Sequence, residues 1–116
     1  MAITTFCCPR GGDLTLETRS EGGDGHERVL LHGELDIAAA PLLEQEWQRI
    51  EERGKQVTVL DLAGLTFIDA SGLRAVLSVT ERAENGGRGL SLVGAGRAVR
   101  RVFDLVGCGE MLDDRV

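Results

Sequence analysis

The segment from Leu60 to Leu73 joins a buried strand to a helix that opens with a hydroxyl, and it constrains the fold more than any other stretch of the chain. Apolar residues lead up to the junction and follow it at helical spacing, which predicts a strand that runs into a helix N-terminus. Asp69 and Ser71 lie at that N-terminus. Backbone N–H groups and the helix dipole favour negative charge there, so a phosphate on Ser71 fits without rebuilding the fold.

The local pattern leaves two interpretations of this junction open. Ser and Asp are also the commonest residues that cap a helix, and a cap needs no further role. In the second interpretation, Ser71 is a regulated serine that accepts a phosphate group. The surrounding chain has to distinguish the two.

Composition indicates one folded domain and disfavours one class of partner. A chain of 116 residues fits a single compact domain and is too short for two. The formal net charge is −6 and the pI is near 4.9, whereas binding to the phosphate backbone of nucleic acid needs clustered Lys and Arg. We therefore expect a protein partner or a small ligand and no direct contact with nucleic acid.

Cysteine usage and hydropathy predict a cytoplasmic protein. Cys7, Cys8 and Cys108 lack the spacing of metal ligands, so we interpret them as reduced thiols, with no metal or cofactor expected. The N-terminus lacks the layout of a signal peptide, and no stretch approaches the ~20 apolar residues of a membrane span. We expect neither secretion nor a membrane partner.

Periodicity predicts one α/β domain preceded by a tail. The breaker cluster Pro9–Gly12 indicates a flexible N-terminal tail over residues 1–12, with the folded domain over residues 13–116. Alternating or β-branched runs predict strands, and amphipathic runs predict helices. The predicted strands begin near Leu14, Val29, Val57 and Leu90, and the predicted helices cover residues 40–53, 71–85 and about 97–106.

The element order is β-β-α-β-α-β-α, which predicts a mixed sheet made of an N-terminal hairpin and parallel strands, with helices packed against it. The strand over residues 57–62 is nearly continuously apolar, so we expect it to be buried on both faces. The third helix is expected to turn five apolar residues inward: Ala98, Val99, Val102, Phe103 and Val106.

Functional groups in such sheets collect where loops leave the carboxyl ends of the parallel strands. Here those loops are residues 33–36, 63–71 and 94–96, and we expect all three on one rim. Simpler interpretations stay open for two polar features. Asp36 can cap the turn into the first helix, and the arginines of the third helix can be a solvated face.

Enzymatic interpretations of this rim find little support. Ser71 lacks the Gly-x-Ser-x-Gly elbow of hydrolases, and both histidines, His26 and His32, lie in or beside the second strand. Gly94-Ala95-Gly96 begins like a dinucleotide-binding turn, but the third glycine is missing. Asp61 lacks the acidic pair and the later lysine that a phosphoaspartate receiver needs. We predict a protein that is not an enzyme.

Three segments, in this order and spacing, resemble the anti-sigma factor antagonists built on the STAS domain. They are Gly33-Glu34-Leu35-Asp36, then Asp61-Leu62 followed by Phe67-Ile68-Asp69-Ala70-Ser71-Gly72-Leu73, and finally residues 98–107. The resemblance covers the chain from about Asp13 to Leu112. In the family's phosphorylation motif the second hydroxyl is the acceptor, which corresponds to Ser71, and Ala70 departs from the commonest form at the first.

The resemblance implies partner switching in a bacterial regulator of transcription. The unphosphorylated antagonist would bind an anti-sigma factor that is also a serine kinase and so release a sigma factor. Phosphorylation of Ser71 would end that binding, and a serine phosphatase would restore it. The implied partner-binding residues are Asp36, Asp69, Ala70, Ser71, Gly72 and Leu73. An alternative stays open, in which the STAS module binds a nucleotide or acts as a scaffold in a larger assembly and Ser71 only caps the helix.

Overall fold

The computed structural model describes residues 3–7, 14–20 and 25–113. Its strands are β1 (Ile3–Cys7), β2 (Leu14–Ser20), β3 (His26–Leu35), β4 (Val57–Ile68), β5 (Gly89–Val93) and β6 (Leu112–Asp113). Its helices are α1 (Ala40–Glu52), α2 (Ala70–Asn85) and α3 (Arg97–Leu105), and a short 3-10 helix over Gly109–Met111 follows α3.

Within the described ranges the strands form a single sheet in the order β1-β2-β3-β4-β5-β6. The β1–β2 and β2–β3 pairs are antiparallel, and the three remaining pairs are parallel. Helix α1 connects β3 to β4, and α2 connects β4 to β5. From β2 to α3 the element order is the predicted one, so the predicted α/β fold, a hairpin followed by parallel strands, is confirmed.

Strand β1 was not expected from the sequence. Its backbone pairs with β2, with Ile3 opposite Arg19 and Cys7 opposite Thr15. The prediction of a flexible tail over residues 1–12 is therefore wrong for Ile3–Cys7, because the ladder with β2 takes up their backbone groups. The rest of that predicted tail and the predicted domain start at Asp13 lie outside the described residues.

Strand β4 extends to Ile68, past its predicted end at Leu62. Its burial alternates: Thr58 and Leu60 are buried, whereas Val57 is exposed. The expectation of burial on both faces is wrong, because the apolar side chains that α1, α2 and α3 bury belong to one core cluster, and the alternating burial of β4 turns one of its faces toward that cluster. The extension beyond Leu62 pairs with β3 through two register shifts.

The core confirms most of the predicted apolar positions. Trp47 of α1 and Phe103 of α3 are the largest fully buried side chains among the described residues. In α3, Val99 is buried as predicted, but Ala98 and Val106 are exposed. Val106 differs from the prediction because α3 ends at Leu105 and leaves it as the C-cap, and Ala98 lies off the face that buries Val99 and Phe103.

One buried carboxylate interrupts this core. Glu46 of α1 is 2% exposed, and its Oε2 accepts a hydrogen bond of 2.5 Å from the Thr18 hydroxyl of β2. The guanidinium of Arg53 lies 3.8 Å away. A buried charge is costly unless donors satisfy it, and Oε1 of Glu46 has no hydrogen-bond partner among the described residues. The bond from Thr18 therefore stabilises the contact between α1 and the sheet.

We expect Thr18→Val to lower the free energy of unfolding by about 1–3 kcal/mol, because a buried carboxylate oxygen loses its hydrogen-bond donor. Thr15→Val is the matched control, since Thr15 lies in the same strand, is half-buried and lies outside the core cluster. Urea unfolding monitored by Trp47 fluorescence measures both. Equal midpoints for the two variants would contradict the role given to Thr18.

Candidate functional site

The carboxyl ends of β3 and β4 lie side by side and bring two of the predicted loops together. Leu35 is opposite Ile68 in the ladder. The Thr66 hydroxyl donates to the Gly33 carbonyl at 3.0 Å, and the Asp69 N–H donates to the Leu35 carbonyl at 3.3 Å. The segment that starts with Asp36 and the start of α2 therefore share one rim, as predicted.

Gly72 sets how closely α2 approaches this rim. A Cβ placed on Gly72 would overlap the carbonyl oxygen of Leu35. The absence of a side chain therefore allows the first turn of α2 to lie directly against the end of β3. Gly72 and its neighbour Leu73 are both buried. These two predicted partner-binding residues therefore expose little surface and contribute mainly to the position of the helix.

Asp69, and not Ser71, caps helix α2. The Asp69 carboxylate accepts a hydrogen bond of 2.9 Å from the Gly72 N–H, and its backbone is extended, as at other helix N-caps. Ser71 is the second residue of the helix and is half-buried. Across the described residues its hydroxyl has no hydrogen-bond partner, so it does not contribute to the cap.

The start of α2 also has open backbone donors. Asp69 accepts from the Gly72 N–H through its side chain and from the Leu73 N–H through its carbonyl. For the N–H groups of Ala70 and Ser71, the described part of the chain supplies no acceptor. Open donors at a helix N-terminus, together with the helix dipole, favour an anion at that end of the helix.

Asp36 has the local capping role that the sequence left open. Its Oδ1 accepts hydrogen bonds from the Ala38 and Ala39 N–H groups at 3.1 and 3.0 Å. These bonds shape the turn into α1. The side chain is half-buried, so the carboxylate adds negative charge to the rim while it holds the turn.

Two exposed apolar side chains on the rim were missed as candidate site residues. Ile37 is 73% exposed and Phe67 is 46% exposed. Phe67 is opposite Glu34 in the ladder, and Ile37 follows Asp36, so both lie at the carboxyl end of the sheet near α2. No sequence pattern indicated that β4 reaches Phe67. Exposed apolar groups beside carboxylates are typical of a protein-binding surface.

The third predicted loop, residues 94–96, does not reach the rim formed by the ends of β3 and β4. Strand β5 ends at Val93, opposite Asp61, and Gly94 lies against Asp61 and Ala63. The expectation that residues 94–96 share the rim with Ser71 is wrong, because β4 continues to Ile68 at about 3.3 Å per residue.

Asp61 and His32, which the sequence analysis weighed for enzymatic roles, each face a charged side chain on the adjacent strand. Asp61 accepts a 2.7 Å bond from Arg28, and the Nε2 of His32 lies 3.9 Å from Glu17. Within residues 14–20 and 25–113, no cluster of His, Cys, Asp and Glu could hold a metal ion. No helix of the described chain is long and apolar enough to span a bilayer.

Comparisons with known proteins agree with this geometry. A family model described as "Mlab, STAS domain" matches residues 18–113. The anti-sigma-B factor antagonist of Staphylococcus epidermidis is 24% identical over 100 residues, which cover 86% of this chain and 91% of the relative.

Solved structures give the same result. The unphosphorylated form of the anti-sigma factor antagonist SpoIIAA has a TM-score of 0.69 and 22% identity, and the match covers 99% of this chain and 89% of that one. An anti-sigma factor antagonist from Mycobacterium paratuberculosis has a TM-score of 0.69 and 27% identity, with 96% and 83% covered. The resemblance that the sequence motifs indicated is confirmed.

We expect Gly72→Ala to lower the free energy of unfolding by about 1–3 kcal/mol, because the added methyl group overlaps the Leu35 carbonyl. Helix propensity predicts the opposite sign, since Ala is the better helix former. Gly89→Ala is the control, because the nearest atoms to its added Cβ are 3.8 Å away. Thermal unfolding that ranks Gly72→Ala at or above Gly89→Ala would contradict the close approach.

We expect Asp69→Ala to cost about 1 kcal/mol of stability through loss of the N-cap. Ser71→Ala should change stability by less than about 0.5 kcal/mol, because its hydroxyl bonds to no described residue. Urea unfolding of the two variants tests this division. A larger loss of unfolding free energy for Ser71→Ala than for Asp69→Ala would show that Ser71, and not Asp69, is the main cap.

Proposed function

The chain belongs to the STAS domain family, and on that basis we propose that it is an anti-sigma factor antagonist switched by phosphorylation of Ser71. The observation that carries the proposal is the position of that serine. Its hydroxyl lies on an accessible rim, has no partner among the described residues, and is not part of the helix cap. Relatives named as antagonists of anti-sigma factors support the choice of partner.

In the unphosphorylated state the rim binds an anti-sigma factor that is also a serine kinase, and the sigma factor is released. The exposed side chains of Ile37 and Phe67 supply apolar contact area. Asp36 directly precedes Ile37, and Asp69 and Ala70 follow Phe67 by two and three residues, which adds two carboxylates and a small residue to the rim. This combination fits a partner surface with an apolar centre and a polar rim.

The bound kinase then modifies the antagonist. The Ser71 oxygen attacks the γ-phosphorus of ATP, the bond to the bridging oxygen breaks, ADP leaves, and a base on the kinase takes the hydroxyl proton. The chemistry belongs to the partner, and this chain contributes an oriented hydroxyl. A serine phosphatase hydrolyses the phosphoserine and returns the free hydroxyl.

The phosphate changes the interface more than the fold. It adds a charge of about −1.5 to −2 beside Asp69, on the same rim as Asp36. The N–H groups of Ala70 and Ser71 and the dipole of α2 can accept that charge locally. The partner surface cannot do so at equal cost, because it meets new like charge and a desolvated phosphate. The antagonist is therefore released while it stays folded.

We expect a cognate anti-sigma kinase and ATP to add one phosphate to the wild type and none to Ser71→Ala. Ser71→Ala should bind the kinase but stay bound when ATP is added. Ser71→Glu should bind more weakly by about tenfold or more, because it places a negative charge in the interface. Intact-mass analysis with peptide mapping and titration calorimetry measure these outcomes.

Gln48→Glu is the matched control for Ser71→Glu, since it makes the same change in net charge on the exposed face of α1. Its affinity for the kinase should equal that of the wild type. Equal binding by Ser71→Ala and Ser71→Glu would reject the switch. Tight binding of ATP or GTP to the isolated domain, with no phosphate on Ser71, would favour the nucleotide-binding alternative.

A further inference from the structure

A second surface lies next to the rim, in the groove between α2 and α3. Four residues at the start of α2 form one wall, and residues at the end of α3 and just beyond it form the other. The lining is Ala70, Leu73, Arg74, Leu77, Val102, Leu105, Val106 and Cys108. We call this feature the α2–α3 groove, and its volume is about 440 Å³.

The groove is apolar and open to solvent, even though α2 and α3, which form its walls, also bury other side chains in the core. Leu105 is 76% exposed and Val106 is 56% exposed. Large apolar side chains this exposed on adjacent residues are typical of a surface that binds another molecule.

Positive charge borders the groove. Arg97, Arg100, Arg101 and Asp104 line a second depression that shares Leu105 with the groove. Arg97 and Arg101 are exposed and make no ion pair within the described ranges, and the same is true of Arg74 on the opposite wall. We call Arg97 and Arg101 the basic edge. The whole chain has a net charge of −6, so the sign of the charge at this depression is opposite to that of the whole protein.

We propose that the α2–α3 groove binds an acidic amphipathic segment of the anti-sigma partner, with its apolar side chains in the groove and its carboxylates on the basic edge. The proposal rests on the proposed function for the identity of that partner. Charge complementarity selects the occupant, because an apolar groove bordered by unpaired arginines fits apolar side chains flanked by Asp or Glu.

The groove is continuous with the phosphorylation site. Ala70 lines one end of it and is the residue before Ser71. Arg74 lies three residues after Ser71 on α2, a spacing at which helix side chains are neighbours. A phosphate on Ser71 therefore places negative charge at the end of the groove and attracts Arg74, so it competes with the carboxylates of the bound segment. Phosphorylation then weakens the contacts at the rim and at the adjoining end of the groove.

The charge test compares two double variants of equal net charge. Arg97→Gln/Arg101→Gln and Gln45→Glu/Gln48→Glu each lower the formal net charge from −6 to −8. The first removes the proposed contacts, and the second adds charge on the exposed face of α1. With a purified anti-sigma kinase that binds the wild type, the first should bind more weakly by about fivefold or more and with a reduced salt dependence. The second should bind like the wild type.

A direct footprint uses Cys108, which lines the groove. Trypsin places Cys108 on the peptide over residues 102–115 and the pair Cys7 and Cys8 on the peptide over residues 1–10, so mass spectrometry reads them separately. Saturating kinase should slow alkylation of Cys108 by iodoacetamide. Leu105→Ser should weaken binding without unfolding the protein, because the side chain is 76% exposed.

Each remaining outcome rejects a specific claim. If the kinase phosphorylates Ser71 and Ser71→Glu binds weakly, but the two double variants bind alike and Cys108 is not protected, the groove proposal is wrong and the switch stands. If no anti-sigma kinase binds the wild type, both proposals are wrong. Sedimentation with vesicles of anionic lipid, or a dimer in solution, that Arg97→Gln/Arg101→Gln abolishes would give the groove a different occupant.

Discussion

The contact between the first turn of α2 and the end of β3 determines the arrangement of the rim. Gly72 allows the helix to approach the Leu35 carbonyl, because any side chain at that position would overlap this oxygen. The same carbonyl accepts the Asp69 N–H at 3.3 Å. Asp36 directly follows Leu35, so its position relative to Ser71 is set by this contact. Two segments that are distant in sequence thus form one surface, and the site does not depend on a flexible loop.

The start of α2 both anchors the helix and carries the proposed phosphorylation site, because two different residues serve these two roles. Asp69 satisfies the Gly72 N–H, which holds the helix in place. Ser71 is left out of that arrangement, so a chemical change at its hydroxyl need not disturb the cap. A serine at the N-cap itself would have to give up its hydrogen bond to accept a phosphate. The separation of capping from phosphorylation across neighbouring residues keeps the fold constant while the surface charge changes.

Local patterns predicted the order of elements from β2 to α3 and the buried positions of Leu43, Trp47 and Phe103, because periodicity reports which side of an element is apolar. Features that depend on pairing between distant segments were not predictable in this way. Strand β1 and the extension of β4 exist because a neighbouring strand accepts their hydrogen bonds. Burial of Glu46 depends on Thr18 of another element. The Asp69–Ser71 junction was recognised from sequence, whereas the role of cap could be assigned to Asp69 only from its contacts.

Electrostatic range decides which part of the surface a phosphate on Ser71 controls. The Debye length is about 8 Å at physiological ionic strength, and side chains three residues apart on a helix are about 5–6 Å apart at their Cβ atoms. Arg74 is within that range, and so are the carboxylate of Asp69 and the end of the groove at Ala70. Contacts farther along α3 feel the phosphate weakly. The basic edge can therefore supply affinity in both states, and the switch acts through the residues next to Ser71. Such a division lets phosphorylation release a partner without requiring the whole interface to change.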